Sequence, residues 1–196
     1  EYANERIQFK VPISKFGAIK QKLADMASRT FAVESATYRV GDKIEKNISR
    51  LENEGLDHQE AYLKGVEEYA IECSIVKVIG SETIQYCSDE GIQIYGGMGY
   101  SADTPMEAAY RDARIARIYE GTNEINRMLI VGMILKKAMK GELDIMTPAM
   151  KISSELMSIP SFDTENRNYL LSLEKIHLKK LKKLILMLSG KAAQHY

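Results

Sequence analysis

Residues 93–127 combine two glycine turns with a short helix pattern, and the second turn carries a carboxylate. The stretch reads QIYGGMGYSADTPMEAAYRDARIARIYEGTNEINR. Gly96, Gly97 and Gly99 predict a turn in which the backbone takes positive φ and another molecule can approach the main chain closely. The stretch therefore predicts helices that are joined at two glycine corners.

The short helix between the two corners has a clear start signal. Thr104 is a suitable N-cap, Pro105 suits the first helical position, and Glu107 stands three residues after the cap. Apolar residues then recur at helical spacing, which predicts a helix that runs to about Tyr119.

The second corner is formed by Glu120, Gly121 and Thr122. Gly121 suits the position just after a helix, where the backbone is left-handed, and either Thr122 or Asn123 can cap the next helix. Glu120 is therefore expected at a helix-to-helix corner with little side-chain bulk beside it.

Helix patterns also fill most of the remaining chain up to residue 140. We expect one long helix from about residue 12 to residue 41 or beyond, a charged connection at 45–57, a second long helix at 58–90, and another helix at 123–139. The residues expected to face inward are Ile13, Phe16, Leu23, Met26 and Ala27 in the first, Tyr62, Val66, Tyr69, Cys73, Val76, Gly80, Ile84 and Cys87 in the second, and Ile125, Met128, Leu129, Met133 and Ile134 in the last. Long helices with short connections favour antiparallel packing. The prediction is an all-α antiparallel helical bundle with essentially no sheet and a C-terminal helical extension.

The sequence changes character after Lys140. Residues 141–163 contain prolines, serines and threonines and are interpreted as a linker with at most a short helix. A lysine-rich and leucine-rich helix is predicted from Thr164 to about Ser189. We favour a packed helix with a solvated lysine face over a helix that lies on a membrane surface. The predicted domains are thus a bundle at 1–140, a linker at 141–163 and the start of an extension at 164–196.

Composition excludes several function classes. The chain of 196 residues has a formal net charge of zero, so no overall field attracts nucleic acid. Cys73 and Cys87 lack metal-ligand spacing and are interpreted as buried thiols in a reducing compartment. The three histidines are isolated from one another, and we assign no metal site. The chain opens inside a helix pattern without an initiator methionine, which predicts that it is part of a longer protein.

Four short patterns, in order along the chain, resemble the C-terminal half of the acyl-CoA dehydrogenases. The family signatures QxxGGxGY and YEGTxxI are matched at 93–100 and 119–125, and ERxQF and LADM are matched at 5–9 and 23–26. A looser resemblance to the very-long-chain branch lies in the extension beyond these helices.

The resemblance implies a chemical role for the second corner. In the family, the glutamate of YEGT removes the α-proton of a fatty acyl-CoA thioester while the β-hydrogen leaves as hydride to the flavin, so Glu120 is the expected catalytic base. A carboxylate becomes a stronger base when water is excluded, since desolvation disfavours its charged form. The acyl chain and the flavin would exclude that water. Tyr119 and Gly121 are expected in the substrate site, where Gly121 leaves room for the thioester.

The resemblance also implies FAD as cofactor. Arg6 can pair with phosphate, glycine lets backbone N–H groups approach it, and the helix start at Thr122 favours anions. The implied cofactor-binding residues are Arg6, Gln8, Phe9, Gln93, Gly96, Gly97, Thr122 and Glu124. The sequence departs from the family pattern at Lys10, where glycine usually follows the phenylalanine, at Gly17, where many members have glutamine, and at Glu124, where glutamine or aspartate is common. The last of these adds a negative charge near the nucleotide.

The resemblance further implies how the whole protein works. It predicts α,β-desaturation of fatty acyl-CoA in fatty acid β-oxidation, electron transfer to an electron-transfer flavoprotein, and a homodimer or homotetramer. The expected location is the bacterial cytoplasm or, as an alternative, the mitochondrial matrix. Other domains complete the active site, so this chain alone is expected to be inactive. The alternatives are an acyl-CoA oxidase and a helical assembly module in a larger complex.

Overall fold

The computed structural model describes residues 1–157 and 170–195, and these residues form nine α-helices and one small hairpin. The helices and strands are α1 (Tyr2–Glu5), β1 (Ile7–Gln8), β2 (Val11–Pro12), α2 (Gly17–Asn53), α3 (His58–Glu68), α4 (Ala70–Tyr95), α5 (Gly97–Tyr100), α6 (Met106–Ile115), α7 (Asn123–Met139), α8 (Met146–Met157) and α9 (Ser172–His195). The all-α prediction is confirmed. The predicted helix start at Thr164 lies outside the described residues.

Helix α4 lies at the centre of the bundle and packs against α2 and α6. Helix α2 runs antiparallel to the segment formed by α3 and α4. Ile48, near the C-terminal end of α2, faces Gly65 of α3, while Lys22, near its N-terminal end, pairs with Glu90 of α4. The packing is close at Gly65, where an added Cβ would lie 2.5 Å from Cγ1 of Ile48. The predicted antiparallel arrangement is confirmed.

Helix α2 is longer than the sequence pattern indicated. We expected it to run to about Gly41 or beyond and to give way to a charged connection at 45–57, but the helix continues through most of that segment to Asn53. The charged residues form ion pairs one helical turn apart, with Lys46 to Asp42 at 2.8 Å and Arg50 to Glu54 at 2.5 Å. A charge-rich segment is thus compatible with a solvated helix, and charge alone was a poor signal for a loop.

The second long helix is divided. Helix α3 begins at His58 as predicted, where Asp57 Oδ1 accepts hydrogen bonds from the backbone N–H groups of Gln59 and Glu60 at 2.9 and 3.2 Å. It ends at Glu68, and Tyr69, with φ −101° and ψ 19°, separates it from α4. A single backbone irregularity leaves the apolar spacing almost intact, which is why the pattern indicated one helix.

Several residues that were predicted to face inward are exposed instead. They are Leu23, Ala27, Tyr62, Ile84, Ile125, Met128 and Leu129. The thiols of Cys73 and Cys87 are half-buried, not fully buried, and burial raises the pKa of Cys73. The helices that pack around α4 cover only part of each other's surface. Part of each apolar face therefore stays exposed in this chain.

A two-stranded hairpin, which the sequence pattern did not predict, follows α1. Ile7 pairs with Pro12 and Gln8 with Val11. The connecting residues Phe9 and Lys10 have φ of 49° and 68°, the backbone of a tight two-residue hairpin turn that favours glycine. Lys10 therefore adopts a left-handed conformation at the position where the family pattern has glycine.

The chain divides into two compact units, Glu1–Val131 and Gly132–Tyr196. In the second unit, α8 packs on α9, and an added Cβ at Gly190 would lie 2.3 Å from Cβ of Ala149. Helix α8 lies within the segment that was interpreted as a linker. The leucine face of α9, which we expected to be buried, is exposed at Leu173, Leu178, Leu181, Leu184, Ile185 and Leu188. Among the described residues, every helix is too short or too polar to cross a membrane.

Candidate functional site

The corner between α6 and α7 holds the predicted base in a strained backbone conformation. Helix α6 ends at Ile115, four residues before the predicted end, and α7 begins at Asn123. Glu120 has φ 54° and Gly121 has φ 80°, so two consecutive residues are left-handed. A left-handed conformation costs a residue other than glycine about 1–3 kcal/mol and persists only where the surroundings fix it. We call residues 116–122 the base loop.

Two side chains fix the base loop at one carbonyl group. The carbonyl oxygen of Gly121 accepts a hydrogen bond from Lys77 Nζ at 2.7 Å and another from Asn126 Nδ2 at 2.8 Å. Asn126 Nδ2 also donates to the carbonyl oxygen of Thr122 at 3.1 Å. Both lone pairs of the Gly121 carbonyl are therefore used, and the orientation of its peptide plane is fixed.

The start of α7 is anchored by a buried polar network. Asn123 is only 1% exposed, and its Oδ1 accepts hydrogen bonds from Lys77 Nζ at 2.9 Å and Ser81 Oγ at 3.1 Å. Its Nδ2 donates to Glu82 Oε1 at 3.3 Å, and Arg127 Nη2 contacts both carboxylate oxygens of Glu82 at 2.7 and 2.9 Å. A satisfied network of this kind gives the corner one defined geometry.

Sequence reasoning missed this network, apart from a capping role offered for Asn123. Thr122 serves as the cap instead, since its Oγ1 accepts a hydrogen bond from the N–H of Ile125 at 3.3 Å. The available signal was the pair of asparagines in NEINR, because amide side chains directly after a left-handed turn often bond the turn's free backbone groups. Lys77 gave no local signal, since it lies 44 residues before Gly121.

The predicted base and its neighbours face the solvent within this chain. Glu120 and Gly121 are exposed, and Tyr119 is 49% exposed. The described residues therefore position the carboxylate without enclosing it.

Glu124 lies in the first turn of α7 and is held as a carboxylate. Hydrogen bonds from its own backbone N–H and from the Thr122 hydroxyl, with the positive charges of Arg117 and Arg114, lower its pKa. Glu124 is therefore charged at neutral pH and would repel a phosphate group. Any contact with a nucleotide there would use its oxygens as acceptors from hydroxyl or amino groups.

The glycines after α4 are not equivalent. Among them only Gly96 has positive φ, at 62°, which corrects the prediction for Gly97 and Gly99. A Cβ at Gly96 or Gly97 would meet no other atom within 4 Å, whereas one at Gly99 would lie 2.6 Å from the carbonyl oxygen of Ile92. Gly96 and Gly97 thus leave their backbone open to a ligand, while Gly99 is required by packing.

Helix α1, which leads into the hairpin, contacts the end of α4 just before this open backbone. The rings of Tyr2 and Tyr95 stack with centroids 4.0 Å apart, and the Tyr2 hydroxyl donates to the Tyr95 carbonyl at 3.0 Å. On the hairpin, Arg6 and Gln8 are exposed and Phe9 is 87% exposed.

The predicted site residues therefore fall into two groups, one on either side of the contact between α1 and the end of α4, and one at the base loop and the start of α7. The first group is Arg6, Gln8, Phe9, Gln93, Gly96 and Gly97, and the second is Tyr119, Glu120, Gly121, Thr122 and Glu124. The second group is anchored at Lys77, which lies 16 residues before Gln93 on α4 (93 − 77), or about 24 Å along the helix axis.

Comparisons with known proteins agree with these motifs. Residues 1–135 match the family model described as acyl-CoA dehydrogenase, C-terminal domain. The chain is 46% identical over 195 residues to a probable acyl-CoA dehydrogenase of Bacillus subtilis, a match that covers all of this chain and 32% of that protein. It is 37% identical over 130 residues to the mitochondrial very long-chain specific acyl-CoA dehydrogenase of Macaca fascicularis, which covers 66% of this chain and 17% of that protein.

A solved structure matches the whole fold. The crystal structure of an acyl-CoA dehydrogenase from Bacillus anthracis, complexed with FAD, superposes with a TM-score of 0.91 and 47% sequence identity, covering 100% of this chain and 33% of that one. The chain thus spans about a third of the length of these two Bacillus proteins. The match of residues 1–135 to the family model is decisive: the chain belongs to the acyl-CoA dehydrogenase family.

Proposed function

We propose that this chain is the C-terminal part of an FAD-dependent dehydrogenase that desaturates fatty acyl-CoA thioesters between the α and β carbons, with Glu120 as the catalytic base. The observation that carries the proposal is the base loop, where a carboxylate stands on a left-handed backbone fixed by Lys77 and Asn126. A strained residue that its surroundings hold in place is typical of a functional position.

The proposed reaction assigns one proton to this chain. A carboxylate oxygen of Glu120 takes the α-proton, and the electrons of the broken C–H bond form the α,β double bond as the β-hydrogen leaves with its electron pair. When bound, FAD supplies the acceptor for that hydride. Gly121 keeps bulk away from the thioester, and Tyr119 lines the same side of the site. Substrate and the other domains exclude water, which strengthens the base.

The residues present fit an FAD molecule. Arg6 offers an exposed cation for phosphate, Phe9 an exposed ring for stacking, and Gly96 and Gly97 an open backbone. Gln8 and Gln93 offer amide hydrogen bonds beside them. Near the base, Thr122 and Glu124 offer oxygen acceptors at a helix start.

The separation of the two groups favours an assembly. Because they are anchored about 24 Å apart along α4, we infer that one FAD contacts the second group, at the base loop, in one subunit and the first group, which includes Arg6 and Gly97, in another. This requires at least a homodimer, and a homotetramer satisfies it equally. Since the chain spans about a third of its Bacillus relatives, we also infer that it is inactive without the remaining domains.

The electron acceptor and location are inferred from the family resemblance. We propose an electron-transfer flavoprotein as acceptor, and the bacterial cytoplasm as location because two of the matched relatives come from Bacillus subtilis. An acyl-CoA oxidase, which passes electrons to oxygen, is the alternative. Another relative, 35% identical over 141 residues, is named an acryloyl-CoA reductase (NADH), so family membership alone leaves the acceptor open.

Anaerobic stopped-flow spectroscopy of the full-length flavoprotein tests the proposal. We expect a saturating acyl-CoA to bleach the flavin absorbance, and admission of air to restore it slowly. Rapid reoxidation by air would indicate the oxidase. A flavin that no acyl-CoA reduces would favour an assembly role and contradict the proposed function.

A further inference from the structure

One ammonium group from the middle of α4 bridges the base loop and the start of α7. Lys77 Nζ donates to the Gly121 carbonyl oxygen at 2.7 Å and to Asn123 Oδ1 at 2.9 Å. The lysine is half-buried, and its acceptors belong to the residue after the predicted base and to a buried residue two positions later. The ammonium therefore lies where it can fix the base loop relative to α4.

A second donor converges on the same carbonyl from the other side of the corner. Asn126 Nδ2 donates to the Gly121 oxygen at 2.8 Å and to the Thr122 oxygen at 3.1 Å. Rotation of the peptide after Gly121 would break both sets of hydrogen bonds. Since Glu120 precedes that peptide by one residue, its left-handed backbone is held from the C-terminal side.

The donors themselves are held in place. The Asn123 amide, which accepts from Lys77, also bonds to Ser81 and Glu82 on α4. Asn126 is 7% exposed and lies in the first turn of α7. The base loop is thus attached to two helices through a network whose members have little freedom to move.

We propose that Lys77 and Asn126 are positioning residues for the reaction, and that their hydrogen bonds to the Gly121 carbonyl orient the Glu120 carboxylate toward the substrate α-carbon. The proposal rests on the proposed function of Glu120. Neither residue touches the reacting atoms. A displacement of about 1 Å in a reacting group can cost about 100-fold in rate, so a small relaxation of the loop would be measurable.

Stopped-flow reduction of the full-length holoprotein is the first readout. Lys77→Met keeps the side-chain stem but removes the donor, and Asn126→Leu keeps approximate volume without the amide. We expect each variant to lower the limiting rate of flavin reduction about tenfold or more, with the apparent Kd for acyl-CoA within about threefold of wild type. Lys77→Arg, which retains a cationic donor, should recover most of the rate.

A matched control separates positioning from general stability. Lys22 of α2 forms an ion pair with Glu90 of α4 and is also half-buried. Glu90 lies 13 residues beyond Lys77 on α4 (90 − 77), which is about 20 Å along the helix axis. Lys22→Met removes a comparable connection between helices. We expect it to leave the limiting rate within about twofold of wild type.

Hydrogen exchange supplies a readout that is independent of activity. Peptides that cover residues 116–126 should exchange their amide hydrogens faster in Lys77→Met and in Asn126→Leu, because the loop loses a fixed conformation. The same peptides should be unchanged in Lys22→Met. If Lys77→Met does not retain FAD, Asn126→Leu tests the same carbonyl.

Three results would overturn the inference. They are a limiting rate within twofold of wild type in both loop variants, an equal loss in Lys22→Met, or a loss that lies entirely in the Kd for acyl-CoA. Glu120→Gln, measured alongside, distinguishes a failure of the proposed function from a failure of the positioning role. If it still reduces the flavin, the proposed function fails. If it does not, and the Lys77 and Asn126 variants behave like wild type, only the positioning role fails.

Discussion

The backbone of the base loop is strained at Glu120, whereas Gly121 adopts its left-handed conformation without steric cost. Glu120 and Gly121 are both left-handed, and a Cβ added at Gly121 would lie 3.0 Å from Nδ2 of Asn126. The nitrogen that such a Cβ would crowd is the one that donates to the Gly121 carbonyl. Gly121 is therefore required by both its φ and its neighbour.

We predict that Gly121→Ala lowers the stability of the full-length protein by about 1–2 kcal/mol, because alanine resists a left-handed backbone, and also slows flavin reduction. Gly55→Ala is the matched control, since Gly55 has φ 98° but no atom within 4 Å of an added Cβ. The control should show the stability loss, as a lower thermal midpoint, with a normal reduction rate. A normal reduction rate in Gly121→Ala would contradict the prediction.

Sequence reasoning at this scale identified the residue types but not their partners. Glu120 and Gly121 were predicted at a corner, and the structure has them there. Lys77 could not be found from sequence, because its contact with the loop depends on the packing of α4 against the start of α7. The assignment of Glu120 as base stays a prediction.

At the scale of elements, helix existence was predictable and helix boundaries were less so. The antiparallel pairing followed from apolar periodicity and short connections. The end of α2 could not be predicted in this way, because its last turns are a solvated, charge-rich helix held by ion pairs and carry little apolar pattern. The break at Tyr69 could not be predicted either, because a single irregular residue leaves the apolar periodicity almost unchanged. The hairpin at residues 7–12 was missed because its two strands are too short to show alternation.

The short helix α5 allows a test of the FAD site. Gly97 is the first residue of α5, and a Cβ there meets open space, so valine should fit this chain without strain. We predict that full-length Gly97→Val folds but purifies with little FAD, because the side chain fills the space proposed for the nucleotide. The ratio of flavin to protein absorbance measures this.

Gly41→Val is the control, because Gly41 is also a helical glycine, within α2, and an added Cβ there likewise meets open space. It should retain FAD. A yellow Gly97→Val protein with a normal FAD ratio would make Gly96 and Gly97 a structural turn only.

At the scale of the whole molecule, a large part of the apolar surface is left for other partners. Met128 on α7 is 68% exposed, and the leucine face of α9 is exposed as well. The sequence could not show this, because periodicity identifies an apolar face without saying which surface covers it. Surfaces of this kind agree with the proposed assembly of subunits and domains.

The extension makes a prediction about membranes. We expect another part of the full-length assembly to cover the leucine face of α9, so that only lysines remain available and retention on anionic vesicles at physiological salt is weak. Each lysine near such a surface contributes about 1 kcal/mol. Strong co-sedimentation that disappears when residues 172–196 are deleted would contradict the packed-helix interpretation. Vesicles of neutral lipid are the control for nonspecific pelleting.

Glu120 is the proposed base, and one substitution tests this role directly. In full-length Glu120→Gln, the amide keeps the volume of the carboxylate but cannot take a proton. We predict that FAD stays bound while anaerobic reduction of the flavin by acyl-CoA falls by about 10²-fold or more. Reduction within about tenfold of the wild-type rate, in a protein with normal FAD content, would contradict the claim.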